Sequence, residues 1–165
     1  MYENALAEIS KKRPNVEKVL SLLKRSIDEG DGRACYALGS WYLHGQYVKK
    51  NLKKATALLR KAAKENVPDA LYDLAVSYET GIGLKKSEKL AFDYYLRAAL
   101  NGDKQSVYEV GRCYYYGIGV DRNKHIASIW LDHAKNLGLK GDEVGGKRDK
   151  QVNKPVQSLN DLNKR

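Results

Sequence analysis

Apolar residues in this chain recur three or four positions apart, at 34, 38 and 42 and then at 55, 58, 59 and 62. That is the spacing of one helix face, not the alternation of a strand. Shifting the chain by 36 residues aligns it on itself twice without a gap. Ala34 falls on Ala70 and Ser106, Leu38 on Leu74 and Val110, Gly39 on Ala75 and Gly111, and Tyr42 on Tyr78 and Tyr114. Gly45, Gly81 and Gly117 coincide, as do Ala55, Ala91 and Ala127, then Leu58, Tyr94 and Trp130, then Ala62, Ala98 and Ala134. Asn66, Gly102 and Gly138 close each unit. The spacing predicts a first helix, A, over about 33–44, 69–80 and 105–116, and a second, B, over about 52–65, 88–101 and 124–137. Asn51, Ser87 and Asn123 stand where a short polar side chain caps helix B. Gly102 and Gly138 stand where a helix end needs a left-handed residue.

Small residues at 39, 75 and 111, and at 62, 98 and 134, allow close helix pairs, with Tyr42, Tyr78 and Tyr114 filling space between layers. The expected product is all-α, a right-handed α-solenoid of stacked helix-turn-helix repeats. Repeat 1 spans 33–68, repeat 2 spans 69–104 and repeat 3 spans 105–141. Residues 1–32 read as N-terminal capping helices: a degenerate A helix over 3–12 and an orphan B helix over 14–30, with Pro14 in its first turn. Residues 142–165 form a polar C-terminal tail in which Ser158 to Leu162 suits one helical turn, placing Leu159 and Leu162 for packing.

These columns resemble the Sel-one-like repeat, a tetratricopeptide-like family whose pattern runs A-x-x-x-L-G-x-x-Y-x-x-G-x-G-V, then K-A, an aromatic, A-A and a closing glycine. Repeat 2 carries it as Ala70, Leu74, Ala75, Tyr78, Gly81, Gly83, Leu84, Ala91, Tyr94, Ala98, Ala99 and Gly102. Repeat 3 carries Val110, Gly111, Tyr114, Gly117, Gly119, Val120, Ala127, Trp130, Ala134 and Gly138. Repeat 1 departs at Tyr47, which replaces the second loop glycine and is expected to alter that turn. Cysteine-rich secreted relatives place half of a disulfide in the Cys35 column, but the partner position here holds Ile27. Cys35 and Cys113 are therefore expected as free, buried thiols.

Composition narrows the chemistry. Gly81-Ile82-Gly83 and Gly117-Ile118-Gly119 join helices to helices, so they read as turns and not as phosphate loops. His125 and His133, eight apart, are too distant to chelate one ion together. No serine or cysteine has an adjacent base and acid in sequence, and the expectation is no enzyme, no metal and no cofactor. No stretch approaches the roughly 18 apolar residues of a membrane span. MYENALAEISKK lacks the apolar core of a secretory signal, which predicts a cytoplasmic protein. The net charge of +10 is concentrated: residues 33–68 hold eight basic side chains against one acid. Lys49, Lys50, Lys53, Lys54, Arg60, Lys61 and Lys64 form this basic patch, read either as a solvated face or as a site for an acidic partner or nucleic-acid backbone.

By resemblance to tetratricopeptide-like solenoids, one face of each A helix lines a concave groove. Its residues are Arg33, Tyr36, Ser40, Leu43 and His44 in repeat 1 and Asp69, Tyr72, Val76, Glu79 and Thr80 in repeat 2. In repeat 3 they are Gln105, Tyr108, Arg112, Tyr115 and Tyr116. Tyr36, Tyr72 and Tyr108 recur at the unit period, either as a ladder offered to a partner or as filler between A helices. Arg33, Glu79 and Arg112 would set polarity and register along the groove. The leading expectation is a non-enzymatic module that grips a protein or peptide, acidic partners included. An immunity-type protein that neutralises a toxin by tight binding, and nucleic-acid or anion binding through repeat 1, are the alternatives.

Overall fold

The computed structural model describes residues 1–139, and the tail expectations, including the turn at 158–162, lie outside the described residues. Among the described residues there are eight helices and no strand: α1 (Tyr2–Ile9), α2 (Val16–Asp28), α3 (Gly32–His44), α4 (Leu52–Lys64), α5 (Pro68–Thr80), α6 (Glu88–Leu100), α7 (Lys104–Tyr116) and α8 (Lys124–Asn136). The fold is all-α. The described residues divide into two compact units, one holding Met1–Glu65 and the other starting at Asn66.

Each predicted cap is made. The side chains of Asn51, Ser87 and Asn123 accept from the backbone N–H of Lys54, Leu90 and Ile126. Their own N–H groups donate to the carbonyls of Tyr42, Tyr78 and Tyr114 at 2.8, 2.8 and 2.9 Å. One residue thus starts helix B and also ties its turn back to the last part of helix A. Gly30, Asn66, Gly102 and Gly138 all have positive φ at the close of a B helix, so the 36-residue period extends back through α2. Pro14 is not in the first turn of α2. The cap there is Asn15, whose side chain accepts from Lys18 N, and that bond begins the helix after the proline.

In the first unit, α3 packs on both α4 and α2, and α1 pairs with α2. Its core gathers Tyr2, Ala5, Ile9, Val19, Leu23, Ala34, Ala37, Leu38 and Trp41. Glu8 of α1 accepts from Lys11 Nζ at 2.8 Å and lies 3.2 Å from Lys18 Nζ. It also accepts from Asn15 N at 3.4 Å, so one carboxylate ties α1 to the start of α2. In the second unit, α5 pairs with α6, α7 with α8, and α6 with α7. Its core holds Ala75, Tyr78, Ala91, Phe92, Tyr95, Val110 and Cys113. Tyr78 stacks on Tyr94 at 5.5 Å and Tyr114 meets the edge of Phe92 at 5.3 Å, so this tyrosine column fills space between helices as its spacing implied.

The turn of repeat 1 is unaltered by Tyr47. That residue adopts φ +58, matching Gly83 at +74 and Gly119 at +68, one and two periods on. Tyrosine holds the glycine conformation at a steric cost, with its ring 4.7 Å from Trp41. Gly119 has a second constraint, because a Cβ there would run into the backbone carbonyl of Glu88.

Two outcomes follow from this packing. Gly119→Ala should lose about 3 kcal/mol of stability, from the left-handed backbone and the contact with α6, measured by urea denaturation. The hydrogen bonds from Lys11 and Lys18 hold the Glu8 pKa down, from the ordinary 4.5 to about 2. Its contribution is complete above pH 4.5 and fades as pH falls towards 2. Glu8→Gln should flatten that part of the stability-against-pH curve from thermal melts, while leaving the curve above pH 6 parallel to the original.

Candidate functional site

The A-helix faces are the candidate interaction surfaces, and the two units present different chemistry. In the second unit, Arg112 of α7 is held by two carboxylates. Its Nε donates to Glu109 at 2.6 Å on the same helix, and its Nη2 donates to both oxygens of Glu79 on α5, at 2.8 and 2.9 Å. Tyr95 of α6 donates its hydroxyl to Glu79 at 2.8 Å, and Gln105 donates to Glu109 at 3.3 Å. Three helices therefore converge on one polar cluster. The side chains of Arg112, Glu79 and Glu109 are each less than a quarter exposed.

The cluster has two negative charges and one positive, in a partly desolvated setting. Burial by itself disfavours the charged guanidinium, but Glu109 and Glu79 outweigh it and the Arg112 pKa rises. Burial, reinforced by Glu109 and Glu79, pushes the Tyr95 phenol well up, and burial with Glu109, Asp103 and Asp73 does the same for Tyr72. Both phenols stay neutral and can donate. Tyr72 lies against Tyr95 with ring centroids 5.8 Å apart. At the C-terminal end of α7, Tyr115 and Tyr116 meet edge to face at 4.9 Å, with Lys124 Nζ 5.5 Å above Tyr115. Tyr116 is 47% exposed.

In the first unit the face reads differently. Arg33 is committed at home, at 2.9 Å from both Asp31 and Glu3 and over the ring of Tyr2 at 4.7 Å. Tyr36 is buried, at 3% exposure, whereas Tyr72 and Tyr108 are half-buried. The tyrosine column therefore does not have one environment. Ser40 and Leu43 are half-buried, and His44 ends α3, its pKa held down by partial burial of the ring and by Lys50. In the second unit Val76 and Tyr115 are half-buried. Lys49, Lys50, Lys53, Lys54, Arg60, Lys61 and Lys64 are all exposed, with Lys54 Nζ 5.2 Å from the Tyr42 ring.

Glu79 and Arg112, expected to set polarity and register along a groove, are bonded to one another. Their partners Glu109, Tyr95 and Gln105 complete the cluster. Two signals in the sequence point to these: Glu109 precedes Arg112 by three residues, an ion-pair spacing on a helix. Tyr95 stands in a column that is leucine in the other repeats, Leu59 and Leu131, so its hydroxyl requires a partner in a core position.

Other residues weighed for chemistry are structural or dispersed. Cys35 and Cys113 are free and buried, and burial pushes the Cys113 thiol up to about 12. The paired glycines end α5 and α7 in left-handed turns. His125 and His133 are exposed on α8. Among the described residues no cluster of three or more His, Cys, Asp and Glu is placed to hold a metal ion, and no helix is long and apolar enough to cross a membrane.

The family model of the Sel1 repeat matches residues 32–67, 68–103 and 104–139. A solved Sel1 repeat protein from Oxalobacter formigenes is 36% identical, the match covering 73% of this chain and 91% of that one at a TM-score of 0.69. The protective antigen c5321 of uropathogenic Escherichia coli, which displays an SLR fold, is 25% identical over 84% of this chain at a TM-score of 0.78. This chain spans 30% of that protein's length. Cysteine-rich protein B of Helicobacter pylori, at 23% identity, shares the fold, the match covering 83% of this chain and 97% of that one at a TM-score of 0.59. No curated protein matches the chain in sequence.

Removing the cation from the α5–α7 cluster should expose its cost. Arg112→Met leaves Glu79 and Glu109 facing one another and should lose about 3 kcal/mol, whereas Tyr95→Phe should lose about 1. Urea denaturation of both variants checks the ratio.

Proposed function

We propose that this chain, which belongs to the Sel1 repeat family, is a protein-binding module that uses the A-helix faces of its repeats. Sel1 repeat proteins generally mediate protein–protein interaction, and the family is a non-enzymatic scaffold. The observation that carries the assignment to these faces is the Glu79–Arg112–Glu109 cluster. The fold does not require it: the columns of Glu79, Arg112 and Glu109 hold Leu43, Ser40 and Ala37 in repeat 1. A half-buried charge cluster is a poor way to gain stability compared with apolar side chains of similar size. It is a good way to hold an arginine in one orientation, with guanidinium donors still available. Arginine beside tyrosine is a frequent anchor pairing in protein interfaces, and Tyr72, Tyr108 and Tyr116 lie on the same two helices.

The partner in this reading is a polypeptide segment whose backbone carbonyls and side chains meet phenol hydroxyls and ring edges. Rigid A helices keep the ordering cost of binding low. Tight neutralisation of one toxin and looser adaptor binding of several proteins would use the same face. Affinity and the number of partners separate them.

Affinity capture with the wild type and Tyr108→Ala/Tyr116→Ala as parallel baits tests the reading. The variant should lose the proteins recovered by the wild type while keeping its helical circular dichroism. Equal recovery by both baits rejects the α7 face as the binding surface. One partner of nanomolar affinity would favour the immunity role, and several of micromolar affinity the adaptor.

A further inference from the structure

The turn 45–50 and helix α4, both within the first unit, carry features that the groove reading does not use. Tyr47 holds φ +58 where the equivalent turns use Gly83 and Gly119, and its ring is 46% exposed. Glycine would occupy that backbone without strain, and Trp41 covers only part of the ring, so neither the backbone nor this contact accounts for the exposed side of the tyrosine. A strained residue kept where an unstrained one would serve points to a role outside the fold. Beneath it, Trp41 is 2% exposed, and its indole N–H finds no acceptor among the described residues.

Charge points the same way. Lys53, Lys54, Arg60, Lys61 and Lys64 fall within an arc of about 120 degrees on α4, a stripe about 16 Å long, by 100 degrees and 1.5 Å per residue. Lys49 and Lys50 continue it into the turn. Among the described residues, none of these six lysines makes an ion pair. Lys53 and Lys54 lie in the first turn of α4, against the positive end of the helix dipole. The first turn of α4 carries no acid to offset them. Repulsion within the stripe and with the dipole is a cost that an opposite charge would relieve.

We infer that the turn 45–50 and the lysine face of α4 form a docking surface for an acidic segment of a partner protein, with Tyr47 as its apolar anchor. Carboxylates of the partner meet the lysines, and an apolar side chain packs on the exposed side of the Tyr47 ring. The surface fits a protein better than a nucleic acid. Helix α4 carries no aromatic residue on which successive bases could stack, and Tyr47 already has Trp41 against its ring. This surface shares no residue with the α5–α7 cluster, so the two can fail independently.

Fluorescence anisotropy on the full chain tests it with two labelled probes of matched charge. One is an acidic peptide of about twenty residues, built from Glu, Asp, Gly and Leu, about four times the length of the stripe when extended. The other is single-stranded oligothymidylate. At about 0.15 M salt the peptide should bind more tightly than the oligonucleotide. Lys53→Glu/Lys54→Glu should weaken peptide binding at least about tenfold, and Lys104→Glu/Lys135→Glu, with the same charge change elsewhere, much less. Tyr47→Gly should weaken it several-fold with the thermal midpoint unchanged or raised. Circular dichroism confirms that each variant is folded. Tighter oligonucleotide binding, equal losses from the two charge reversals, or unchanged peptide affinity in Tyr47→Gly would each overturn the proposal. So would a fall in the thermal midpoint of Tyr47→Gly, which would make the tyrosine a stabiliser of its turn.

Discussion

Close approach of each A helix to its B helix is the constraint on which the rest of the molecule depends. A Cβ at Gly39 would sit 3.2 Å from the Leu58 Cβ, and one at Gly111 would sit 2.8 Å from the Leu131 Cγ. Ala75 occupies the same column in repeat 2, fully buried. From the B side, Ala55, Ala91 and Ala127 and then Ala62, Ala98 and Ala134 are buried as well. Helices this close leave no room for a large side chain in these columns, and the aromatic residues pack at other positions of the core. Tyr78 on Tyr94 and Tyr114 on Phe92 are ring contacts that the small columns permit.

The same constraint frees the opposite face of helix A. Once small residues and capped turns hold a hairpin together, positions such as 40, 43, 76, 79, 112 and 115 no longer have to pack it. They vary from repeat to repeat. Repeat 1 fills its share with Ser40 and Leu43, and the second unit builds a charge cluster from Glu79, Glu109 and Arg112. A cluster of this kind is costly to desolvate and gains its rigidity from the several bonds that hold Arg112 between Glu79 and Glu109. That combination suits recognition better than stability.

Much of the fold was legible because it is repetitive. Each cap, each closing left-handed residue and each small column is dictated by backbone geometry that returns every period, so one error in reading would have broken three alignments. Pro14 shows a different limit: a proline suited to a first turn stands beside Asn15, which lies one period before the caps Asn51, Ser87 and Asn123 and is the residue that starts α2. Tyr47 shows another: the resemblance to a glycine column suggested a different turn, but the hydrogen bond from Asn51 N to Tyr42 O and the ring contact with Trp41 hold the same turn around a tyrosine. Sequence alone shows that a residue is unusual and leaves open whether the backbone yields or the side chain bears the strain.

From its own letters the chain determined helix positions, hairpin pairing, caps and the charge imbalance of repeat 1, because all of these rest on contacts local in sequence. Pairings across helices were decided only in three dimensions. Glu79 and Arg112 stand 33 residues apart, and Tyr95 lies 16 from Glu79. Helical spacing pairs Arg112 with Glu109 on its own helix, but no periodicity encodes which acid of another helix it selects. Tertiary packing made that choice by the burial it imposed: with each side chain less than a quarter exposed, a guanidinium and two carboxylates offset their desolvation by bonding to one another, where α5 and α7 bring them together.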